Sequence, residues 1–153
     1  MKVTVREGVS ADITPMVTMG KRMHEESVFA KFNWNDAKVT QFGKLAVSRD
    51  DTCFYVAEVD GVRAGMIVGA LVPYYFGDDL QLGEYLWYVA PEYRGTSAGI
   101  RLVKKFIEFG KAHDVKEVCM GVSTGITPDT TGKLLQRLGF NSIGGIFKYG
   151  VGA

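Results

Sequence analysis

The spacing of apolar and polar positions changes period several times along the chain, and each change marks an element. Lys2 to Glu7 alternate as a short strand. Ser10 and Asp12 then offer N-caps, and Ile13, Met16, Val17, Gly20 and Met23 recur at helical spacing. The pattern predicts a helix from about Ile13 to Glu26, with Pro15 in the first turn, where proline is tolerated. A second helix fits Asp36 to Ser48, capped by Asn33 or Asn35. Two strands follow, Thr52 to Val59 and Arg63 to Pro73, with Asp60-Gly61 between them as a hairpin signal. After an aromatic loop from Tyr74 to Asp79 comes a strand over Leu80 to Val89, then a helix from about Ser97 to His113. Its buried stripe is Ala98, Leu102, Val103, Phe106, Ile107 and Gly110, while Arg101, Lys104, Lys105, Glu108 and Lys111 take the wet face. Val115 to Val122 reads as a strand, Asp129 to Leu138 as a helix ending at Gly139, and Asn141 to Val151 as a glycine-split strand pair.

The order β-α-α-β-β-β-α-β-α-β-β predicts one mixed α/β (α+β) domain over residues 1–153. Its central sheet has about seven strands, mostly antiparallel, flanked by about four helices. The crossover around Ser97 to His113 makes Leu80–Val89 and Val115–Val122 parallel neighbours.

Composition narrows the class. With 46% hydrophobic and 23% charged residues the chain is ordinary and globular, and 153 residues are enough to bury a core. A net charge of +1 without a basic block argues against nucleic-acid or membrane-surface binding. The apolar runs are too short to span a bilayer, and the start Met1-Lys2-Val3-Thr4 is no signal peptide, so a cytoplasmic protein is expected. Cys53 and Cys119 each fall in a strand-like apolar run and read as buried free thiols. His24 and His113 have no partner at ligand spacing, so no metal site is expected.

One stretch carries chemistry. In "APEYRGTSAGIRLVKKF", Ala90 to Phe106, an aromatic strand turns tightly into an amphipathic helix. A helix N-terminus leaves backbone N–H groups unpaired and carries partial positive charge, so it attracts phosphate. Small residues from Gly95 through Gly99 would let a diphosphate sit against those amides, and Arg94, Arg101, Lys104 or Lys105 could add charge. The same residues would equally serve a plain tight turn. The P-loop pattern does not occur; Gly125 to Gly132-Lys133-Leu134 has the wrong spacing and a leucine in place of the hydroxyl. The dinucleotide glycine pattern is missing too, because three residues separate Gly95 from Gly99.

"YVAPEYRGTSAGIRLV" resembles the acetyl-CoA-binding motif of the GCN5-related N-acetyltransferase (GNAT) family, [RQ]-x-x-G-x-[GA] after a V-x-P strand end. Arg94 and Gly99 match its outer positions, and Ser97 replaces the central glycine. "LLQRLGF", Leu134 to Phe140, resembles the late helix of that family and the L-G-F opening its last strand pair. The element order agrees over essentially the whole chain, and "VSTGI", Val122 to Ile126, resembles members encoded by bacteriophages.

The resemblance implies a parallel strand pair that splays into a V-shaped gap holding the pantetheine arm, which pairs with backbone as an added strand would. Trp87, Tyr88 and Val89 would meet that arm, and Arg94, Gly95, Thr96, Ser97, Ala98 and Gly99 would cradle the pyrophosphate. The implied activity is acetyl transfer from acetyl-CoA to a primary amine of a small molecule or peptide, by direct attack in a ternary complex. A homodimer is a further implied possibility.

Such transfer needs a base, an oxyanion donor, for which a backbone N–H suffices, and a proton for the departing thiolate. Glu84 is the first choice of base, and strand alternation would place Glu84, Leu86 and Tyr88 on one face. The usual glutamate falls one residue earlier, at Gly83, an offset that a bulge absorbs; Glu84 is otherwise only a polar strand residue. Leu135 occupies the usual tyrosine position and Pro128 or Asp129 that of an asparagine, so the usual acid is missing, and Tyr88 or Tyr149 substitutes by residue type only. Glu25, Glu26, Phe29, Phe32 and Trp34, with Asn141 to Gly145, would line the acceptor site, and Tyr74, Tyr75 and Phe76 would add an aromatic wall. Acidic and aromatic groups suit a cationic amine, but such a cluster also suits a core or a dimer contact. The missing acid keeps open a second reading, a CoA-binding module without catalysis, and a nucleotide-binding domain of different topology is a third.

Overall fold

The computed structural model describes residues 1–152. β1 (Val3–Glu7) leads through a 3-10 turn at Ser10–Asp12 into α1 (Ile13–Glu26), followed by α2 (Asp36–Ser48). The Asn35 side chain caps α2 by accepting the Lys38 N–H at 3.0 Å. β2 (Thr52–Val59) and β3 (Val62–Pro73) join over Asp60 and Gly61, whose φ values of 49° and 81° are the left-handed pair a tight hairpin requires. β4 (Leu80–Val89), α3 (Ala98–Ala112), β5 (Glu117–Cys119) and α4 (Pro128–Arg137) complete the order.

The sheet runs β1-β2-β3-β4-β5, antiparallel except for the parallel β4–β5 pair expected from the crossover. It has five strands rather than about seven. Residues 141–152 form no strand and make no backbone hydrogen bond among the described residues. Gly144, Gly145 and Gly150 interrupt that stretch, and glycine weakens a strand that no neighbour holds. β5 is three residues long instead of eight, because its ladder to β4 ends at Gly83–Cys119.

Helices cover both faces. On one, α3 buries Ala98, Leu102, Val103 and Phe106 against Ile67 and Leu82, with Leu135 of α4 at the margin. On the other, Met16 of α1 and Ala46 of α2 cover Phe54, Val56, Met66 and Val68. Each fully buried side chain of this size contributes roughly 1.5–3 kcal/mol. Gly69 is where α3 comes closest, since a Cβ there would lie 2.4 Å from the Phe106 ring and 2.6 Å from the Gly83 carbonyl. Asp12, 1% exposed, does not cap α1 with its side chain. Its carboxylate accepts bonds from Arg6 (2.7 and 2.9 Å), Arg63 (2.7 Å) and the Val9 amide (2.8 Å), which ties β1 to β3. Those partners, Arg6 first, hold it well below the usual carboxylate range. Cys53 is buried as expected, but Cys119 is exposed, because β5 is the edge strand.

Candidate active site

The site begins where the sheet comes apart. Gln81–Glu117, Leu82–Val118 and Gly83–Cys119 pair in parallel, and there the ladder stops. On the other side of β4, Val68 opposes Leu86 but Gly69 opposes Glu84, so Tyr85 has no opposite residue. This bulge breaks the alternation expected of Glu84, Leu86 and Tyr88. Leu86 packs on the α1–α2 side, whereas Trp87 and Val89 pack on the α3 side. Glu84 sits at the fork, where its Oε1 accepts the Gly121 N–H at 3.0 Å. A side chain thus takes the backbone donor that a longer β5 would have given to β4. Burial pushes the Glu84 pKa up to about 7, partly countered by that N–H.

Beyond the fork opens a cleft of about 300 Å³, lined by Glu84, Trp87, Tyr88 and Arg94, with Thr127 and Thr131 opposite. At its far end the turn presents its backbone. The amides of Gly95, Ser97, Gly99 and Ile100 carry no hydrogen bond among the described residues, while Ala98 N–H is taken by Thr96 Oγ1 at 3.2 Å. The Ser97 hydroxyl accepts from Arg101 Nε at 3.1 Å, so the residue standing for glycine is turned toward the helix. Buried Trp87 Nε1 has no partner, and it lies beside the start of α3, 3.9 Å from where a Cβ on Gly99 would stand. A free set of amides and an orphaned indole N–H at one end of a cleft fit a phosphorylated, amide-bearing arm such as that of CoA.

Arg94 is placed differently from the sequence expectation. Both Nη atoms bond the Glu26 carboxylate and Nε bonds the Val89 carbonyl at 3.0 Å, so its charge already has a partner. Tyr88 donates its hydroxyl to Glu26 Oε2 at 2.8 Å, and the Arg94 guanidinium lies 5.4 Å over its ring. Arg94 chiefly, then Tyr88, hold the Glu26 carboxyl below its usual range, and burial with the Glu26 bond pushes Tyr88 up to about 12. A phenol so placed holds its proton in a hydrogen bond to Glu26 and is poorly set up as a thiolate acid.

The remaining expected residues divide. Leu135, at the usual tyrosine position, is in the core. Trp34 leans on His24 with ring centroids 5.3 Å apart and donates to Asp36 at 2.8 Å, a packing role. Tyr74 bonds Glu117 of β5 at 2.5 Å and stacks on Phe76, at the opposite end of β4 from the turn. Phe29 and Phe32 lie 6.5 Å apart, with Phe32 exposed. Thr124 and Thr127 of the loop before α4, with Thr130 and Thr131 of its first turn, line the cleft and carried no sequence signal of their own. Gly125, at φ 74°, backs directly onto Val28, and Val28 N–H bonds Thr124 O at 2.8 Å, so this loop is tied to the segment after α1.

A splayed parallel pair with a helix N-terminus beyond it defines an acyl-CoA-binding α/β class. Residues 20–140 match the acetyltransferase (GNAT) family, and the chain belongs to it. It is accordingly an N-acetyltransferase. Among solved structures it is similar to aminoglycoside N-acetyltransferase AAC(6')-Iy in complex with a bisubstrate analogue, at 16% identity over 100% of both chains with a TM-score of 0.78. A transcriptional regulator from Bacillus halodurans C-125 is 20% identical over 98% of this chain and 100% of its own, with a TM-score of 0.75. A predicted acetyltransferase from Clostridium acetobutylicum, solved with acetyl-CoA, is 16% identical over 97% and 96%, with a TM-score of 0.74. At these identities the likeness is one of fold. A search of curated protein sequences found no match.

Proposed function

We propose that the protein acetylates a primary amine by direct attack on acetyl-CoA, with Glu84 as general base. The observation that carries this is the half-buried carboxylate at the fork, bonded to the Gly121 N–H, with its pKa pushed up to about 7. Acetyl-CoA supplies the activated acetyl group. A primary amine arrives largely as ammonium and must lose a proton before it can attack. A carboxylate half-ionised at neutral pH, at the apex of a sheltered cleft, is matched to take it. Trp87 Nε1 and the free amides of Gly95, Ser97 and Gly99 hold the cosubstrate, while Arg94 braces the turn through Glu26 and Val89. Neither Cys53 nor Cys119 lines the cleft, which favours direct transfer over an acetylated cysteine.

Acetyl-CoA turnover should be measured by thiol release over aminoglycosides, polyamines, other small amines and peptide N-termini. Three of the structural neighbours are aminoglycoside acetyltransferases, which puts aminoglycosides first in that panel. Glu84→Gln keeps the volume and removes the proton acceptor, so kcat should fall on the order of 10²–10⁴-fold. The acetyl-CoA dissociation constant should hardly move, and the loss should shrink at alkaline pH, where more of the amine is already neutral. Near-normal kcat in Glu84→Gln across pH would remove Glu84 from the chemistry. Tight CoA binding with no acceptor in the whole panel would favour the silent binding module.

A further inference from the structure

The loop between β3 and β4 is short, closed on itself and unused by the cleft. Tyr74 N–H bonds the Asp79 carbonyl at 3.1 Å, and Gly77 N–H bonds the Tyr74 carbonyl at 3.3 Å. Consecutive aromatic residues fill it. Tyr74 and Phe76 stack with ring centroids 5.1 Å apart, and Tyr75 meets Phe76 edge-on at 5.3 Å and 85°. The Tyr74 hydroxyl bonds Glu117 of β5, which fixes the ladder to the sheet. Tyr75 is nonetheless fully exposed, and Phe76 is 73% exposed. Two large rings thus stand in water on an ordered turn, an arrangement that burial within this chain does not explain.

The charge around the rings has one sign. Asp78 and Asp79 follow them in the loop, Glu117 holds Tyr74, and all three acidic residues are exposed. None of the three is in an ion pair among the described residues. Lys116 precedes Glu117, but alternation puts it on the face of β5 from which Val118 packs toward α3. Leu80 to Glu84 is about 13 Å of strand. No residue of the loop lines the cleft.

We propose that this loop is a docking site for a basic polypeptide segment, whose arginine side chains lie on Tyr75 and Phe76 and are answered by Asp78, Asp79 and Glu117. Aromatic rings set at a right angle offer a cation a ring face within a corner. A guanidinium stacks on such a face while its N–H fork meets carboxylates. The acidic rim repels a nucleic-acid backbone and an anionic membrane surface alike. A small cation gains little, because the rings project from a turn and enclose nothing, whereas an extended chain engages several groups at once. One short loop buries less than the roughly 1,200 Å² of a stable interface, so the complex is a transient one. The docking is separate from the chemistry at Glu84, since the loop would hold the segment whether or not one of its amines is acetylated.

The probe is a labelled arginine–glycine repeat peptide, titrated by fluorescence anisotropy and mapped by amide chemical shifts. The native chain should bind it, with shifts confined to residues 74–79 and Glu117 and with affinity falling as salt rises. Tyr75→Ser with Phe76→Ser should weaken binding by about tenfold or more, and so should Asp78→Asn with Asp79→Asn. Both variants keep Tyr74 and Glu117 to hold the loop and should melt cooperatively. Asp50→Asn with Glu108→Gln removes exposed carboxylates elsewhere and should leave the affinity unchanged. Absence of binding, an equal loss in that control, full affinity in either loop variant, or shifts centred on Glu84 would each overturn the proposal. So would shifts in the loop and at Lys104, Lys105 and Lys111 on raising the protein concentration alone, which would make a second copy the occupant.

Discussion

Glu84 and Asp12 show how one residue type's chemistry is set by its surroundings. Asp12 is buried among two guanidinium groups and a backbone N–H, and its ionised form is strongly favoured. Glu84 is half-buried with a single N–H for company, and desolvation wins. The two therefore bend the stability curve in opposite directions. Asp12 supports the fold above the ordinary carboxylate range and loses that support progressively as pH falls below about 3.8 toward its depressed folded value. Glu84, with a folded pKa of about 7 against 4.5 when unfolded, binds its proton more tightly in the native state. Stability is then full below the unfolded value and is lost as pH rises from about 4.5 through 7, by up to roughly 3 kcal/mol. Glutamine does not titrate, so the melting temperature of Glu84→Gln relative to the native chain should climb between pH 5 and 8. Calorimetry at the two ends of that range checks it. A difference that stays constant with pH would mean that Glu84 is not held neutral by burial.

At the level of elements, the start of α3 makes a separate prediction. A Cβ on Gly99 would meet Trp87 and Val89 at 3.5 Å, ordinary contact, so a side chain there is tolerated by the fold. Gly99→Glu, however, would put bulk and negative charge among the free amides of the turn. Calorimetric titration should find acetyl-CoA binding abolished or weakened by more than 100-fold in a protein that still melts cooperatively. Normal affinity in that variant would make the turn merely structural. This turn was legible in the sequence because its signal is local: small residues, a strand before and an amphipathic helix after. So were the helices and β1 to β4, whose periods are set by one buried face. Three features were not local. The bulge at Tyr85 depends on how β3 and β4 register, and an alternating sequence reads the same with or without it. β5 ends at Cys119, and just beyond it a carboxylate on β4 takes the Gly121 amide, a bond between residues 37 apart in sequence. The partner of Arg94 is Glu26, 68 residues away, so the sequence showed a free cation near phosphate where the structure has an ion pair. The 141–152 stretch failed for another reason, since a strand pattern records what a segment could pair with and not whether a neighbour is there.

Across the whole molecule, stability is unevenly distributed, and the site lies at the weak seam. β2 and β3 are bonded on both edges and buried on both faces, with Val68, Ile67 and Ala57 fully enclosed. β5 hangs on β4 by three residue pairs, and the 120–127 segment after it is held to the rest by the Gly121–Glu84 and Val28–Thr124 bonds. Segments with few backbone bonds and an open edge unfold locally at low cost. In the proposed binding mode acetyl-CoA bridges this seam, touching β4 and α3 on one side and residues 124–131, the loop before α4 with its first turn, on the other. Any opening that separates the two sides must then also release the ligand, and at 100 times its dissociation constant this adds about 2.7 kcal/mol to the opening. Amide hydrogen exchange over residues 117–131 should therefore slow by about 100-fold in the presence of acetyl-CoA. Amides that exchange by fraying of α2, on the far face of the sheet, should keep their rates, because that motion leaves the cleft intact. If 117–131 exchange as fast with the ligand as without it, the cosubstrate does not span the β4–β5 gap, and the cleft is not its seat.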